Sequence, residues 1–141
     1  MSDRRLAREV AVQALYEMDQ TGEAWPRPLA DNAARRHASP VAQAFAERLV
    51  RAVVENRDAV QATVVGALEN WSYERVAMVD RCVLQLGTAE LLYFDDVPVA
   101  VIIDEAVAIV RKFSTHESGG FVNGVLDRIA KARTAGGGTT P

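Results

Sequence analysis

Residue types that build catalytic and metal sites are scarce in this chain of 141 residues. It has one cysteine, Cys82, and two histidines, His37 and His116. A single thiol excludes an intramolecular disulfide and fits a reducing compartment, so we expect a cytoplasmic protein. Cys82 lies in an apolar run and is interpreted as a small buried side chain. One thiol and two distant histidines do not make a set of zinc ligands.

The groupings that an enzyme needs are also missing. His116, Glu117 and Ser118 are adjacent, and adjacent residues do not reach the mutual geometry of a catalytic triad. The glycines at 119, 120 and 124 match neither a Walker loop nor a dinucleotide fingerprint, and no strand pattern precedes them. We therefore predict a protein that is not an enzyme, with no catalytic residue, no metal and no cofactor.

Lysine and long apolar runs are scarce as well. Fourteen of the 16 cationic residues are arginines, and the net charge is −3. This balance excludes a strongly basic field over the whole protein, so any nucleic-acid site must be a local patch. Arginine suits phosphates and stacks on bases, but a GC-rich coding sequence explains the same composition. No uninterrupted apolar stretch reaches membrane-spanning length.

What the sequence does contain is helical periodicity. Apolar residues follow helical spacing over residues 4–19, where Ser2 or Asp3 is suited to cap the start. The same spacing predicts further helices over residues 41–55, 57–68, 80–94 and 99–110, a short one over 29–36, and a last one from about Phe121 to Ala132. No segment shows convincing strand alternation. The prediction is an all-α, compact bundle of six or seven helices.

Length and composition set the domain organisation. A chain of 141 residues is large enough for one core and too short for two ordinary domains. We expect a single domain over residues 1–133 and a disordered tail over residues 134–141, TAGGGTTP.

Two regions carry features that suit a polyanion. On the first helix, Arg5, Arg8, Val12 and Tyr16 fall on a face away from the apolar stripe, with Arg4 at its border. Near the other end, Ser118-Gly119-Gly120 is predicted to be a loop that opens the last helix. The free N–H groups of such a loop are a natural seat for a phosphate. Together the two regions predict a nucleic-acid binder in which both share one surface.

Three blocks of sequence give this chain a resemblance to a known family. The first is RRLAREVAVQALY at residues 4–16, and the third runs from Asp96-Val97-Pro98 to FVNGVLD at residues 121–127. The middle block contains Trp71, Arg75, Asp80, Arg81, Leu84, Glu90 and Leu91. In this order the blocks resemble the NusB family of bacterial transcription antitermination factors.

The resemblance implies a fold, a function and a set of partners. The fold is a helical bundle, in agreement with the periodicity. The implied function is binding to the boxA element of ribosomal RNA leader transcripts, as a pair with the small-subunit ribosomal protein NusE. That pair joins NusA, NusG and RNA polymerase, so that elongation passes terminators.

The physical features and the family meet at eight candidate RNA-binding residues. They are Arg4, Arg5, Arg8, Tyr16, Ser118, Gly119, Phe121 and Asn123. The arginines neutralise phosphates, which predicts salt-sensitive affinity. Tyr16 and Phe121 either stack on unpaired bases or pack in the core. Asn123 either contacts a base edge or caps the helix start.

A second surface is the candidate for the protein partner. Glu90, Tyr93, Asp95 and Asp96 are predicted to form an acidic, partly aromatic patch that suits a basic ribosomal protein. An ordinary solvated helix end explains the same residues equally well.

The chain departs from the family pattern at two positions, and functions other than RNA binding are also compatible with the sequence. Gly120 stands where the family often has a basic residue, and Gln85 stands in a place commonly held by arginine. Fewer charges there predict weaker RNA binding and a stronger reliance on the partner. The alternatives are an accessory domain like the helical domain of certain RNA cytosine methyltransferases and a pure protein-interaction module. A homodimer that masks the RNA site is also compatible with the sequence.

Overall fold

The computed structural model describes residues 2–136, with side chains to Arg133. Over this range the chain forms seven α-helices and no strand, which confirms the all-α prediction. A single turn of 3-10 helix at Tyr73–Arg75 precedes the fifth α-helix. The α-helices are α1 (Asp3–Thr21), α2 (Arg27–Arg35), α3 (Pro40–Glu55), α4 (Arg57–Ala67), α5 (Met78–Tyr93), α6 (Val99–Phe113) and α7 (His116–Gly136).

The chain divides into two compact units, Met1–Glu55 and Asn56–Pro141. In the first unit, α1 packs against both α2 and α3. Helix α1 begins where predicted, because the Ser2 hydroxyl accepts a hydrogen bond from the Arg5 N–H at 3.1 Å. It ends at Gly22, whose left-handed conformation (φ 78°) closes the helix. The single domain over residues 1–133 stays a prediction.

The first unit also contains a buried ion pair. Arg36 Nη2 lies 2.6 Å from Glu9 Oε1, and the Glu9 side chain is almost fully buried. Arg36 Nη1 donates to Gln13 Oε1 at 3.1 Å. Because an unpaired buried carboxylate is costly, this pairing fixes the connection that follows α2 against α1.

In the second unit, α5 packs against α4, α6 and α7, and α6 packs along α7. Its core contains Leu84, Leu91, Ile102 and Leu126, all almost fully buried. Helices α5 and α7 approach closely at Gly87, where a Cβ atom would lie 2.9 Å from Leu126 Cδ1. A side chain at this position would force the Leu126 side chain to shift. Cys82 is buried, as predicted.

The helix boundaries near α6 and α7 correct one prediction. Pro98 caps α6, and Arg111 and Lys112 occupy its last turn, as the sequence indicates. Only Ser114 and Thr115 separate α6 from α7, which begins at His116 and not at about Phe121. The predicted glycine loop at residues 118–120 is therefore wrong, because these residues lie inside the first turns of α7.

At its other end, α7 continues to Gly136. The first three residues of the expected disordered tail, 134–136, are thus helical, and residues 137–141 lie outside the described part of the chain. Over the described residues, no helix is both long enough and apolar enough to cross a membrane.

Candidate nucleic-acid interface

The opening of α1 presents two of the predicted arginines to solvent. Arg4 and Arg5 are exposed in the first two turns of the helix. The N-terminal end of a helix is not a place where cations are favoured by the helix dipole. Exposed guanidinium groups at this end of the helix suit an external anion.

Arg8 and Val12 do not lie on an exposed face as predicted. Arg8 is 2% exposed and Val12 is 3% exposed. The Arg8 guanidinium carbon lies 5.3 Å from the centroid of the Phe45 ring. Helical periodicity treats a charged residue as outward-facing, but a guanidinium can be buried on an aromatic ring. That is the physical reason for the error.

Phe45 gathers a cluster of three arginines. The guanidinium carbon of Arg4 lies 4.3 Å from the ring centroid, that of Arg8 5.3 Å and that of Arg48 5.9 Å. Arg48 belongs to α3 and is exposed. Sequence reasoning missed it, because the i to i+3 spacing from Phe45 is the one local signal and is common in helices. The cluster concentrates positive charge between α1 and α3.

Tyr16 lies three turns further along α1 and is 40% exposed. Eleven residues correspond to about three turns, so Tyr16 and Arg5 lie on the same side of the helix. An exposed phenol ring next to a line of cations is suited to stacking on an unpaired base. The role of Tyr16 in RNA binding stays a prediction.

At the start of α7, Ser118 faces the protein interior. Its hydroxyl donates to Asp80 Oδ2 at 2.7 Å and lies within hydrogen-bond distance of the Ser114 and Thr115 hydroxyls. The Ser118 N–H is itself capped by Thr115 Oγ1 at 3.3 Å. The free N–H groups expected of a loop are therefore not offered by Ser118.

Gly119 and Asn123 line one groove between α6 and α7. The groove has a volume of about 480 Å³ and also contains Arg111. A Cβ atom on residue 119 would lie 2.6 Å from Arg111 Nε, so glycine at this position lets the guanidinium cross the helix. Arg111 and Asn123 are both exposed. A phosphate at this groove would meet a guanidinium and an amide, not a backbone loop.

Phe121 forms part of a second cleft in the same unit. Its ring packs edge-on against Trp71, with centroids 6.2 Å apart and planes at 60°. The cleft has a volume of about 340 Å³ and is also lined by Arg75, Asp80 and Ser118. Phe121 is half-buried and Trp71 is exposed. If Phe121 stacks on a base, as predicted, Trp71 lies beside it as a second aromatic ring.

The proposed partner surface is only partly exposed. Glu90 is 1% exposed, so its assignment to an acidic surface patch is wrong. It lies on the buried side of α5, where its charge gave no sign of burial in the sequence. Tyr93, Asp95 and Asp96 are exposed at and after the end of α5. Asp95 Oδ1 lies 4.0 Å from Arg133 Nη2 across the surface.

The two departures from the family pattern have different structural settings. Gln85 Nε2 donates to the Tyr73 hydroxyl at 2.7 Å, so this side chain is held within the second unit. Gly120 is helical and exposed, and a Cβ atom there would meet no atom within 4 Å. A side chain at 120 would thus be accommodated, and its absence removes one possible cation beside the groove.

Within residues 2–136, no group of three or more His, Cys, Asp or Glu side chains could hold a metal ion. The features that stand out are guanidinium groups and aromatic rings on helices. Together they are suited to a ligand that is bound by charge and by stacking.

Comparison with known proteins identifies the family. The NusB family matches residues 5–131, so the chain belongs to the NusB family. It is 43% identical to the transcription antitermination protein NusB of Sorangium cellulosum over 131 residues, which cover 93% of this chain and 94% of that protein. It is 40% identical to NusB of Geobacter sulfurreducens, with coverage of 92% and 95%.

Solved structures agree with this assignment. A crystal structure of the antitermination factors NusB and NusE in complex with double-stranded RNA contains a chain with a TM-score of 0.86 and 29% identity, covering 94% of this chain and 98% of that one. NusB of T. maritima gives a TM-score of 0.84 at 38% identity, with coverage of 91% and 90%. Membership of this family supports the prediction that the chain is not an enzyme.

Proposed function

We propose that this chain is a transcription antitermination factor that binds the boxA RNA of ribosomal RNA leader transcripts together with NusE. In this role it promotes processive elongation by RNA polymerase, with NusA and NusG as further members of the assembly, in the cytoplasm. The observation that carries the RNA-binding part is the arginine cluster on Phe45, which adds Arg48 to the exposed Arg4 and Arg5.

Arg4, Arg5 and Arg48 supply the phosphate contacts in this proposal. Their charges lie near one aromatic ring or at the start of one helix. When these guanidinium groups neutralise RNA phosphates, counterions condensed on the RNA are released. Tyr16 and Phe121 stack on bases, and Asn123 contacts a base edge in the groove that it shares with Arg111. Gly119 contributes by admitting the Arg111 guanidinium. Arg8 positions the cluster from its buried site on Phe45.

Salt-dependent RNA titration tests the phosphate contacts. We expect boxA RNA to bind more tightly when NusE is present, with an affinity that falls steeply as salt rises. Arg5→Ala and Arg48→Ala should each lower the salt slope by about 0.7, the value for one phosphate contact on a single strand. Arg57→Ala, on the exposed start of α4, is the matched control and should leave the slope unchanged. Undetectable RNA binding even with NusE would favour a pure protein-interaction module.

For the protein partner, we propose the exposed patch of Tyr93, Asp95 and Asp96. Two carboxylates beside an aromatic ring suit a basic ribosomal protein, and exposed charges mainly set the association rate. Asp95→Lys should slow association with NusE several-fold at low salt and leave the affinity for RNA alone unchanged. Asp58→Lys on α4 makes the same charge reversal outside the patch. If the two variants slowed association equally, the partner site would lie outside this patch.

A further inference from the structure

The surface between α4 and α7 contains a groove that the proposed function does not use. This α4–α7 groove lies wholly within the second unit, between residues 62–69 and residues 128–133. It has a volume of about 690 Å³, which is larger than either of the two clefts beside the start of α7. Binding pockets usually measure about 300–1,000 Å³, so the groove is large enough for a ligand.

The groove is lined mainly by apolar side chains. Ala62, Ala67, Ile129 and Ala132 line it together with Leu92 from the end of α5. Ala62 and Ala132 are exposed, so this apolar surface is open to solvent. None of the described lining residues is aromatic, so they offer no ring on which an RNA base could stack. An open apolar groove of this kind suits the apolar face of a helix from another protein.

The charges in the groove indicate the sign of that helix. Three cations, Arg128, Lys131 and Arg133, line the groove together with a single carboxylate, Glu69. The net charge of the whole chain is −3, so the groove is a local excess of the opposite sign. The dipole of α7 favours cations in its last turn, and of the three only Arg133 lies there. The groove is therefore complementary to an acidic ligand.

The ion pairs that these cations make within the chain are exposed. Lys131 Nζ lies 2.9 Å from Asp127 Oδ2, and the Lys131 side chain is 77% exposed. Arg128 Nη1 lies 3.5 Å from Glu69 Oε1, and the Glu69 side chain is 67% exposed. Exposed pairs contribute little, so both cations are able to pair with a carboxylate of a bound chain. Arg128 Nε also donates to the Ala67 carbonyl at 2.9 Å, which holds the guanidinium beside the groove.

We propose that the α4–α7 groove binds a short amphipathic helix of a protein partner, whose apolar face lies in the groove and whose acidic residues pair with Lys131 and Arg133. The inference goes beyond the proposed function, because the occupant is neither RNA nor a basic ribosomal protein. The three cations span residues 128–133, about 7.5 Å along α7, so one to two turns of the partner helix reach all of them.

The same features disfavour the other occupants. A basic segment would be repelled by the three cations. An RNA strand would find partners for its phosphates but no ring for its bases. A second copy of this chain is a further rival, because Asp95 and Asp96 are exposed near the exposed Val99 and form an acidic, apolar segment. These three occupants are outcomes that the test distinguishes.

The test uses a fluorescein-labelled synthetic peptide, titrated with the full chain and followed by fluorescence anisotropy. The peptide is about 14 residues long, with leucines at i, i+3, i+4 and i+7 and glutamates on both sides of that face. A second peptide replaces every glutamate by lysine. We expect the glutamate peptide to bind about tenfold more tightly than the lysine peptide and to weaken as salt rises. Equal binding, tighter binding of the lysine peptide or no binding of either would overturn the proposal.

Two pairs of variants test whether the peptide lies in the groove. Gly66→Glu and Gly66→Lys add opposite charges at a lining position where a Cβ atom meets nothing within 4 Å, so neither disturbs packing. Gly66→Glu should weaken the glutamate peptide about tenfold, and Gly66→Lys should not weaken it. Lys131→Glu should also weaken it about tenfold, whereas Arg57→Glu, at the exposed start of α4, should have little effect. Equal effects within either pair would overturn the proposal.

Measurements with boxA RNA and NusE separate this inference from the proposed function. Gly66→Glu and Lys131→Glu should leave the affinity for boxA RNA and the association with NusE unchanged. A loss of either would assign the groove to that partner and overturn the inference. Self-association in light scattering that both variants abolish would assign the groove to a second copy, with the same consequence. Groove-dependent peptide binding without any boxA binding would retain the inference and reject the proposed function.

Discussion

The openings of α1 and α7 carry similar sequence signals but use them differently. Each helix begins beside a hydroxyl cap, Ser2 on α1 and Thr115 on α7. The first turns of α1 direct Arg4 and Arg5 into solvent. The first turns of α7 direct Ser118 inward to Asp80 and press Gly119 against Arg111. One opening exposes its charged side chains, and the other is largely a packing contact with a cleft on either side.

The difference shows how little residue type says about orientation at a helix end. Serine and glycine are common in loops, but here the serine hydroxyl satisfies a buried carboxylate and the glycine permits close approach of a side chain. Arginines are common on surfaces, but Arg8 is buried one turn from two exposed ones. The long-range partner, Asp80 or Phe45, decides each case.

The largest expected effect on stability is the difference between replacing Arg8 and replacing Arg5. Arg8→Ala should lower the free energy of unfolding by about 3 kcal/mol, because it removes a buried side chain packed on Phe45. Arg5→Ala should change it by less than about 0.5 kcal/mol, as expected for an exposed side chain. Urea unfolding measures both. Equal losses would show that Arg8 is exposed after all.

The next largest effect tests the inward orientation of Ser118. Ser118→Ala should cost about 2 kcal/mol, because the buried Asp80 carboxylate loses its donor. Ser114→Ala removes a contact with the Ser118 hydroxyl but none with Asp80, and should cost under about 1 kcal/mol. Thermal unfolding monitored by circular dichroism ranks the two. An unchanged stability for Ser118→Ala would mean that the hydroxyl faces solvent.

A smaller effect of opposite sign tests whether Gly120 is helical. Gly120→Ala should raise the free energy of unfolding by about 1 kcal/mol, because alanine is the better helix former and its Cβ meets no atom. Gly119→Ala should gain less, since the Arg111 guanidinium must move. Denaturant midpoints compare the two. A destabilising Gly120→Ala would restore the loop that the sequence predicted.

The smallest effect concerns the cap of α1. Ser2→Ala should cost about 0.5 kcal/mol, because its hydroxyl accepts from the Arg5 N–H at an exposed helix end. Ser2→Asp should retain the stability, since aspartate also caps. Hydrogen exchange at the first turn of α1 reports the change most directly. Unchanged exchange in Ser2→Ala would mean that the cap contributes nothing.

The sequence predicted the helices better than the site. Helix type, the position of α1, the Ser2 cap and the break at Pro98 follow from local periodicity and breakers, which are written in consecutive residues. The burial of Arg8 and Glu90 and the start of α7 depend on contacts with residues far along the chain. Arg4 and Arg8 join Arg48 on the Phe45 ring only because α3 packs on α1.

Gly87 has a consequence for how the second unit meets a ligand. Because residue 87 has no side chain, α5 leaves space that the Leu126 side chain of α7 occupies. A shift of α7 by one residue would move Leu126 out of this space. Phe121 and Asn123 stand on that same helix, five and three residues ahead of Leu126. The backbone positions of both residues are consequently fixed by packing, so a ligand bound there would cost little backbone entropy.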